Sequence, residues 1–413
     1  MAQPKDETTL EIGGREVVIT HPGKLLIPAA GVSKLDLVNY YMAVAEGALR
    51  GAGGRPCVLV RYPNGIDDEF FFQKRAPAKR PDWLEVAEIR FPSGRSAEEV
   101  VPRHPADLAW MANLACLELH PHPVRAQDLE HPDELRVDLD PVPGVEWPQI
   151  VQVADVVHEV LTGLGLKGWP KTSGSRGIHV LVRIQPNWTF DEVRRAALAL
   201  AREVERRAPG LATSKWWKEE RRGVFVDYNQ NAKDRTVTSA YSVRPKPDAR
   251  VSAPVSWKEL ADCNPADFTL WTMPGRFARI GDPHAAIDAQ PCSLEPLLEL
   301  SRQQEAEGEG DAPWPPHYRK AAGEPRRAPP STAAKKSARS KAPLIEVARA
   351  DREADAIAAA DAWKAMHPKA AAHLEPADVL VDRMRGSSSL WYRVRINLAH
   401  VPSRLRPKDE KPT

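Results

Sequence analysis

Residues 136–144 read Arg-Val-Asp-Leu-Asp-Pro-Val-Pro-Gly, and the reading of this stretch sets the fold class. Leu135, Val137 and Leu139 alternate with Asp138 and Asp140, the two-residue period of a strand with one apolar face. Pro141 ends the strand because it has no N–H to give to a ladder. The two acids therefore share a face. Carboxylates about 5 Å apart repel by about 3 kcal/mol at an effective dielectric of about 20. A hard divalent cation, Mn²⁺ or Mg²⁺, is the counter-charge that such oxygen donors favour. A lone D-x-D also occurs in surface turns, so the pair needs companions before it counts as a site.

Asp227 is the first companion. It follows the apolar run Val224-Phe225-Val226, although an Asp in that place also starts turns. Three acids at strand ends would hold two metals about 4 Å apart, the arrangement used in phosphoryl and nucleotidyl transfer. The second companion is Lys171–Val180, "KTSGSRGIHV". Ser173, Gly174, Ser175 and Gly177 permit a turn whose N–H groups converge on an anion, and Arg176 adds a guanidinium. His179 begins the next strand. The spacing is neither that of a Walker loop nor that of a dinucleotide G-x-G-x-x-G motif.

Outward from these motifs, residues 1–300 alternate short β-rich runs with amphipathic stretches, as expected of an α/β or α+β domain. Expected helices are Lys34–Leu49, Trp147–Leu164 and Phe190–Arg207. The second of these connects two strands that are either parallel, with the helix as crossover, or antiparallel. Residues 301–343 read as a flexible linker, with eight Lys or Arg against one Glu between Arg319 and Lys341. Residues 344–413 form a small extension with an expected helix over Glu346–Met366. In its strand "LWYRVRINL", Trp391, Arg393 and Arg395 share one face, suited to nucleic acid, to a partner or to a charged sheet edge.

The chain has 413 residues, a net charge of +2, 42% hydrophobic and 28% charged residues, so a preference for nucleic acid must come from local patches. Its four cysteines form no C-x-x-C pair, which excludes a cysteine zinc site and fits a reducing compartment. His120 and His122 form an H-x-H with no further metal ligand at site spacing. Trp216 and Trp217 suit packing as well as base stacking. No apolar run reaches membrane-spanning length and no signal-peptide core opens the chain; a cytoplasmic protein is expected.

"VDLDP", "TSGSRGIH", "VFVDYNQN" and "YSVRP", in this order, resemble the polymerase domain of bacterial ligase D, the non-homologous end-joining ligase. That domain belongs to the archaeo-eukaryotic primase–polymerase superfamily. The resemblance extends to "THPGKLLIPAAGVSKLDLVNYY", "GRPCVLVRYPNGID", "FFFQKRAP" and "ANLACLELHPHP". It implies a primase–polymerase catalytic domain with mixed central sheets flanked by helices. Asp138, Asp140 and Asp227 would be the metal-binding catalytic carboxylates of a two-metal site. Arg61, His120, Ser173, Arg176, His179 and Arg244 would hold the incoming NTP or dNTP, with Lys233 and Arg235 competing for one more basic position.

The resemblance also implies a DNA side. Lys24 and Lys34 match lysines that grip a 5′-phosphate, and Phe71 and Phe72, with Lys74 beyond them, match an aromatic pair near the template. Without the match, Phe71 and Phe72 read equally as one core and one surface ring.

The expected activity is templated filling of short DNA gaps or ends, with ribonucleotides and Mn²⁺ often preferred, in end joining or excision repair. A Ku-type end-binding protein and the nucleoid are the implied surroundings. The K-x-D-G motif of an adenylating ligase is absent, so a stand-alone polymerase working with a separate ATP-dependent DNA ligase is expected. A non-catalytic DNA-end scaffold, a two-metal nuclease and a D-x-D glycosyltransferase are the rival readings.

Overall fold

The computed structural model describes residues 6–315, 318, 344–350, 353–375, 378–385 and 390–407. The chain divides into two compact units, residues 1–325 and 326–413.

In the first unit the Glu134–Pro141 strand is the centre of a five-stranded sheet. The order is Trp169–Thr172, Ile178–Arg183, Glu134–Pro141, Val224–Asp227, Ala212–Thr213. Neighbours among the first four strands are antiparallel and only the last pair is parallel. The helix Trp147–Gly163 carries the chain from Glu134–Pro141 to Trp169–Thr172, a parallel strand two places away, and the hairpin that follows sets Ile178–Arg183 antiparallel between them. Together with Phe190–Arg207 it covers the apolar face, where Leu135, Val137 and Leu139 are buried.

Phe190–Arg207 starts where Thr189 accepts from Glu192 N while Glu192 reaches back to Thr189 N, a reciprocal cap. It ends on Arg206 and Arg207, whose charges suit the carbonyl end of the helix dipole. The expected helix Lys34–Leu49 is instead two, Lys34–Ala43 and Ala45–Ala52, broken at Val44.

The polar face of the central strand changes character along its length. Glu134 and Arg136 are buried, and Glu134 is tied to Arg136 and Arg183. Asp138 is half-buried and Asp140 exposed, so the ion-paired floor opens into an acidic end. A second sheet carries Phe71–Gln73, Cys57–Arg61, Ser96–Val100 and Val86–Arg90, with Cys116–Pro121 also paired to Cys57–Arg61. One continuous apolar core serves both sheets.

The boundary expected at residue 300 falls inside the helix Glu295–Ala306. Beyond it, Arg194, almost fully buried, donates to Asp311 Oδ1 at 2.9 Å and to Ala312 O at 2.7 Å, and stacks on Trp314. Residues 311–314 thus belong to the first unit, held by a buried guanidinium that sequence periodicity does not reveal. The basic stretch 319–341 lies outside the described residues.

The second unit is a three-stranded antiparallel sheet in the order Leu344–Ala350, Leu390–Asn397, Val379–Arg385. Residues 344–350 are a strand rather than the start of the expected helix, which runs from Glu353 to Met366. Ala356, Ala360 and Trp363 of the helix are buried, as are Val394 and Ile396 of the sheet. Leu390–Asn397 is the central strand, so its charged residues are not a sheet edge. Among the described residues no helix is long and apolar enough to cross a membrane.

Candidate active site

The antiparallel register builds the site. Asp138 faces His179 on one neighbouring strand and Asp227 on the other, and His179 in turn faces Lys171. Residues directly opposite in a sheet point to one side, so Lys171, His179, Asp138 and Asp227 form a row across four strands. Asp140 lies two residues beyond Asp138, on the same face.

The electrostatics of this row suit a cation. Burial, then Asp227 and Asp140, push the Asp138 carboxyl up to about 8. Burial likewise raises Asp227 to about 6. Among the described residues neither Asp138 nor Asp140 pairs with an arginine; Asp138 Oδ1 lies 3.4 Å from Nε2 of His179, whose pKa burial and then Lys171 push well down. Asp227 accepts from Asn229 N at 2.9 Å and from the Gln230 amide at 3.2 Å.

With its carboxylate turned to these donors, no three His, Cys, Asp or Glu side chains among the described residues enclose an ion as they stand. The donor set nevertheless suits a hard divalent cation: three carboxylates at adjacent strand ends, two with pKa values raised first by burial.

The Thr172–His179 loop sits beside this row. Ser175 N and Gly177 N both donate to Ser173 Oγ, at 3.1 and 3.0 Å, so two N–H groups converge on one oxygen. Gly174 has φ +67°, and a Cβ there would lie 2.5 Å from Arg244 Cγ. Gly177 lets the loop approach Leu139 O, where a Cβ would stand at 2.3 Å. Arg176 is exposed, with a 3.5 Å contact to Pro141 O.

His120 and Arg244 meet beneath the loop through two residues that sequence reading missed. Glu118, buried, takes Arg244 Nη1 at 2.6 Å and the Tyr62 hydroxyl at 3.2 Å, and lies 3.8 Å from His120. Burial opposes ionisation of Glu118, but His120 and Arg244 outweigh it and hold its pKa below the ordinary value. The Thr238 hydroxyl lies 3.1 Å from His120 Nε2 and also accepts from Arg244. A glutamate two residues before His120 on one strand shares its face, which was the available signal.

Lys233 and Arg235 part company. Lys233 is bound to Glu130 at 2.7 Å, whereas Arg235 is near enough to lower the pKa of Asp227. Arg221, also unanticipated, lies 3.5 Å over the Phe225 ring and is within electrostatic reach of Asp227 and Asp140.

Arg61 stands apart from the acidic row. Its guanidinium donates to Leu114 O at 2.8 Å and Gln73 at 2.6 Å and covers the Phe71 ring. Burial, then Lys24 and Arg61, lower the pKa of Lys34, so these three residues make one basic cluster. Lys24 is exposed and donates to Asn64 at 3.0 Å; Lys34 is buried and donates to Thr20 O at 2.6 Å. Phe71 and Phe72 are both exposed, at 44% and 57%, so neither is a core ring. Phe70 is exposed too and stacks on Tyr62, while Phe72 meets the His120 ring edge-on at 6.2 Å. Lys74 lies 4.2 Å over Phe91.

Residues 33–284 match the family described as LigD, primase-polymerase domain. The chain belongs to that family. The multifunctional non-homologous end joining protein LigD of Mycolicibacterium smegmatis is 33% identical over 293 residues, which is 70% of this chain and 38% of that protein. The bifunctional LigD of Bacillus subtilis is 29% identical over 68% of this chain and 45% of its own length.

The chain thus spans about two-fifths of the length of these LigD relatives. The polymerase domain of Mycobacterium tuberculosis ligase D, solved in complex with DNA, superposes with a TM-score of 0.62 at 32% identity. That match covers 67% of this chain and 99% of the solved domain. The LigD primase-polymerase match ends at residue 284, so the second unit lies outside it.

Proposed function

We propose that this chain is a metal-dependent, templated nucleotidyltransferase that extends a primer 3′-hydroxyl with NTP or dNTP across short DNA gaps or at DNA ends. The observation that carries the reading is the register that sets Asp138 against both Asp227 and His179, beside the converging N–H groups of the Ser173 loop.

Asp138, Asp140 and Asp227 would hold Mn²⁺ or Mg²⁺, which when bound supplies positive charge to the attacking and leaving oxygens. The chain's own residues bind and orient. The Ser175 and Gly177 N–H groups, which here donate to Ser173 Oγ, would turn to a phosphate oxygen, Arg176 lies exposed beside them, and Arg235 supports the Asp227 side. Glu118 and Thr238 fix Arg244 and His120, so that their donors need little reorganisation when a triphosphate arrives.

On the DNA side, Lys24, with Arg61 and Lys34 close by, is placed to take a 5′-phosphate. Exposed Phe71 and Phe72 offer base-stacking faces, which are indifferent to sequence. Lys34 contributes mainly by charge, since its ammonium already serves Thr20 O. A Ku-type end-binding protein and a separate ATP-dependent ligase are the proposed partners, in a nucleoid-associated setting.

The test is extension of a gapped, 5′-phosphorylated primer–template by the full chain with NTPs or dNTPs and Mn²⁺ or Mg²⁺. Wild type should extend the primer only with metal, and Asp138→Asn/Asp140→Asn should not extend it. Metal-independent extension, or a double variant as active as wild type, would end the proposal.

A further inference from the structure

The row ends on a residue that the proposed chemistry leaves unused. Lys171 stands on the edge strand Trp169–Thr172 and is fully buried. Its Nζ has three close neighbours: Thr238 O at 2.8 Å, Ser252 Oγ at 2.6 Å and His179 Nδ1 at 2.8 Å. A carbonyl oxygen can only accept. The Ser252 hydroxyl sends its own hydrogen to Thr172 O at 2.8 Å, so towards Lys171 it too accepts. An ammonium is donor-only and has three N–H bonds. In the ammonium form the third points at His179 Nδ1, which then offers a lone pair, and the ring hydrogen is left on Nε2.

That Nε2 is the atom 3.4 Å from Asp138 Oδ1. Burial and then Arg244 push the pKa of Lys171 down, while Asp138 and Glu134 oppose the shift; the two fixed acceptors, Thr238 O and Ser252 Oγ, take two of its N–H bonds. The Thr238 carbonyl held by Lys171 belongs to the residue whose hydroxyl touches His120 and Arg244. One buried lysine thus touches both the carboxylate side and the triphosphate side of the site.

We propose that Lys171 is a positioning residue for the incoming nucleotide: by donating to His179 Nδ1 it fixes that ring in the Nε2–H tautomer, so that a hydrogen-bond donor faces Asp138 and the triphosphate. The inference rests on the reading of this cleft as a nucleoside triphosphate site. Lysine suits the task for a physical reason. A hydroxyl or an amide at this place can either donate or accept, and would let the imidazole take either tautomer; an ammonium cannot.

Two measurements test it. Long-range ¹H–¹⁵N correlation spectra of the full chain labelled in its imidazoles, with His179→Gln to identify the resonance, should show His179 as a single Nε2–H tautomer. An Nδ1–H tautomer or a mixture in wild type overturns the proposal without reference to activity. In Lys171→Met, the single tautomer should be lost and KM for NTP should rise about tenfold, with a smaller fall in kcat. Mn²⁺ affinity measured without nucleotide should be retained, since the three acids remain.

A variant that only melts earlier, with KM and the tautomer unchanged, marks Lys171 as merely structural and defeats the proposal. If Lys171→Met does not fold, the wild-type spectrum still decides. Failure of the wild type to bind both Mn²⁺ and NTP would instead defeat the reading of the cleft, a result separable from the tautomer.

Discussion

Replacing Asp138 by Asn should abolish extension and yet stabilise the metal-free protein, increasingly so as the pH rises. The folded state holds the Asp138 proton up to about 8, from an ordinary value of 3.8. Between those two values the unfolded chain has released a proton that the folded chain keeps, so stability falls with rising pH through that window. Each unit is worth about 1.36 kcal/mol. The penalty is about 1.6 kcal/mol at pH 5 and about 5 kcal/mol at pH 8, as an upper bound that rotation of the carboxyl towards water reduces. Asn has the shape of the acid and nothing to ionise.

The assay is thermal or urea unfolding in EDTA at pH 5 and pH 8. The advantage of Asp138→Asn over wild type should widen by about 2–3 kcal/mol between the two, after allowing for relaxation. Saturating Mn²⁺ should then narrow that gap, because ligand at about 100 times its Kd adds about 2.7 kcal/mol to a protein that binds it. A gap that does not change with pH, or a variant less stable than wild type at pH 8 in EDTA, would refute the electrostatic account of the acidic row.

Other outcomes follow from the same geometry. Gly174→Ala strains a residue at φ +67° and drives a Cβ into Arg244, so KM for NTP should rise about tenfold or more in steady-state extension, while DNA binding holds. Glu118→Gln removes the charge that Arg244 and His120 share; unfolding should show a loss of about 3 kcal/mol, and NTP affinity should fall with it, against the unchanged stability expected of a surface pair. Lys24→Ala should erase any preference for 5′-phosphorylated gaps in competition binding, and an undiminished preference would remove Lys24 from the DNA side. Phe72→Ala should cost about 1–3 kcal/mol of gapped-DNA affinity with little change in melting temperature, since the ring is 57% exposed.

Local pattern carried the central strand and its two acids, because alternation along a strand fixes which residues share a face whatever pairs beside it. It carried the helix Phe190–Arg207 for a similar reason: its cap and its charged ends lie within one turn of its own limits. The ordered motifs carried the family. Local pattern failed where the deciding partner is distant. The strand Leu344–Ala350 exists because it pairs with Leu390–Asn397, and its own residues read as well as helix. The end of the catalytic unit depends on Arg194 reaching Asp311 and Trp314. Lys233 and Arg235 were equivalent in sequence until Glu130 was found to engage one of them.

Residue type and order by themselves determined which groups could do the chemistry: three carboxylates, a small-residue loop, and basic and aromatic side chains. Tertiary structure decided how they are supported. Lys171 and Glu118 act through Thr238, Ser252, His179 and Arg244, partners contributed by other strands and loops of the catalytic unit. A buried ion or amine takes its role from the acceptors that surround it, and only folding assembles that shell.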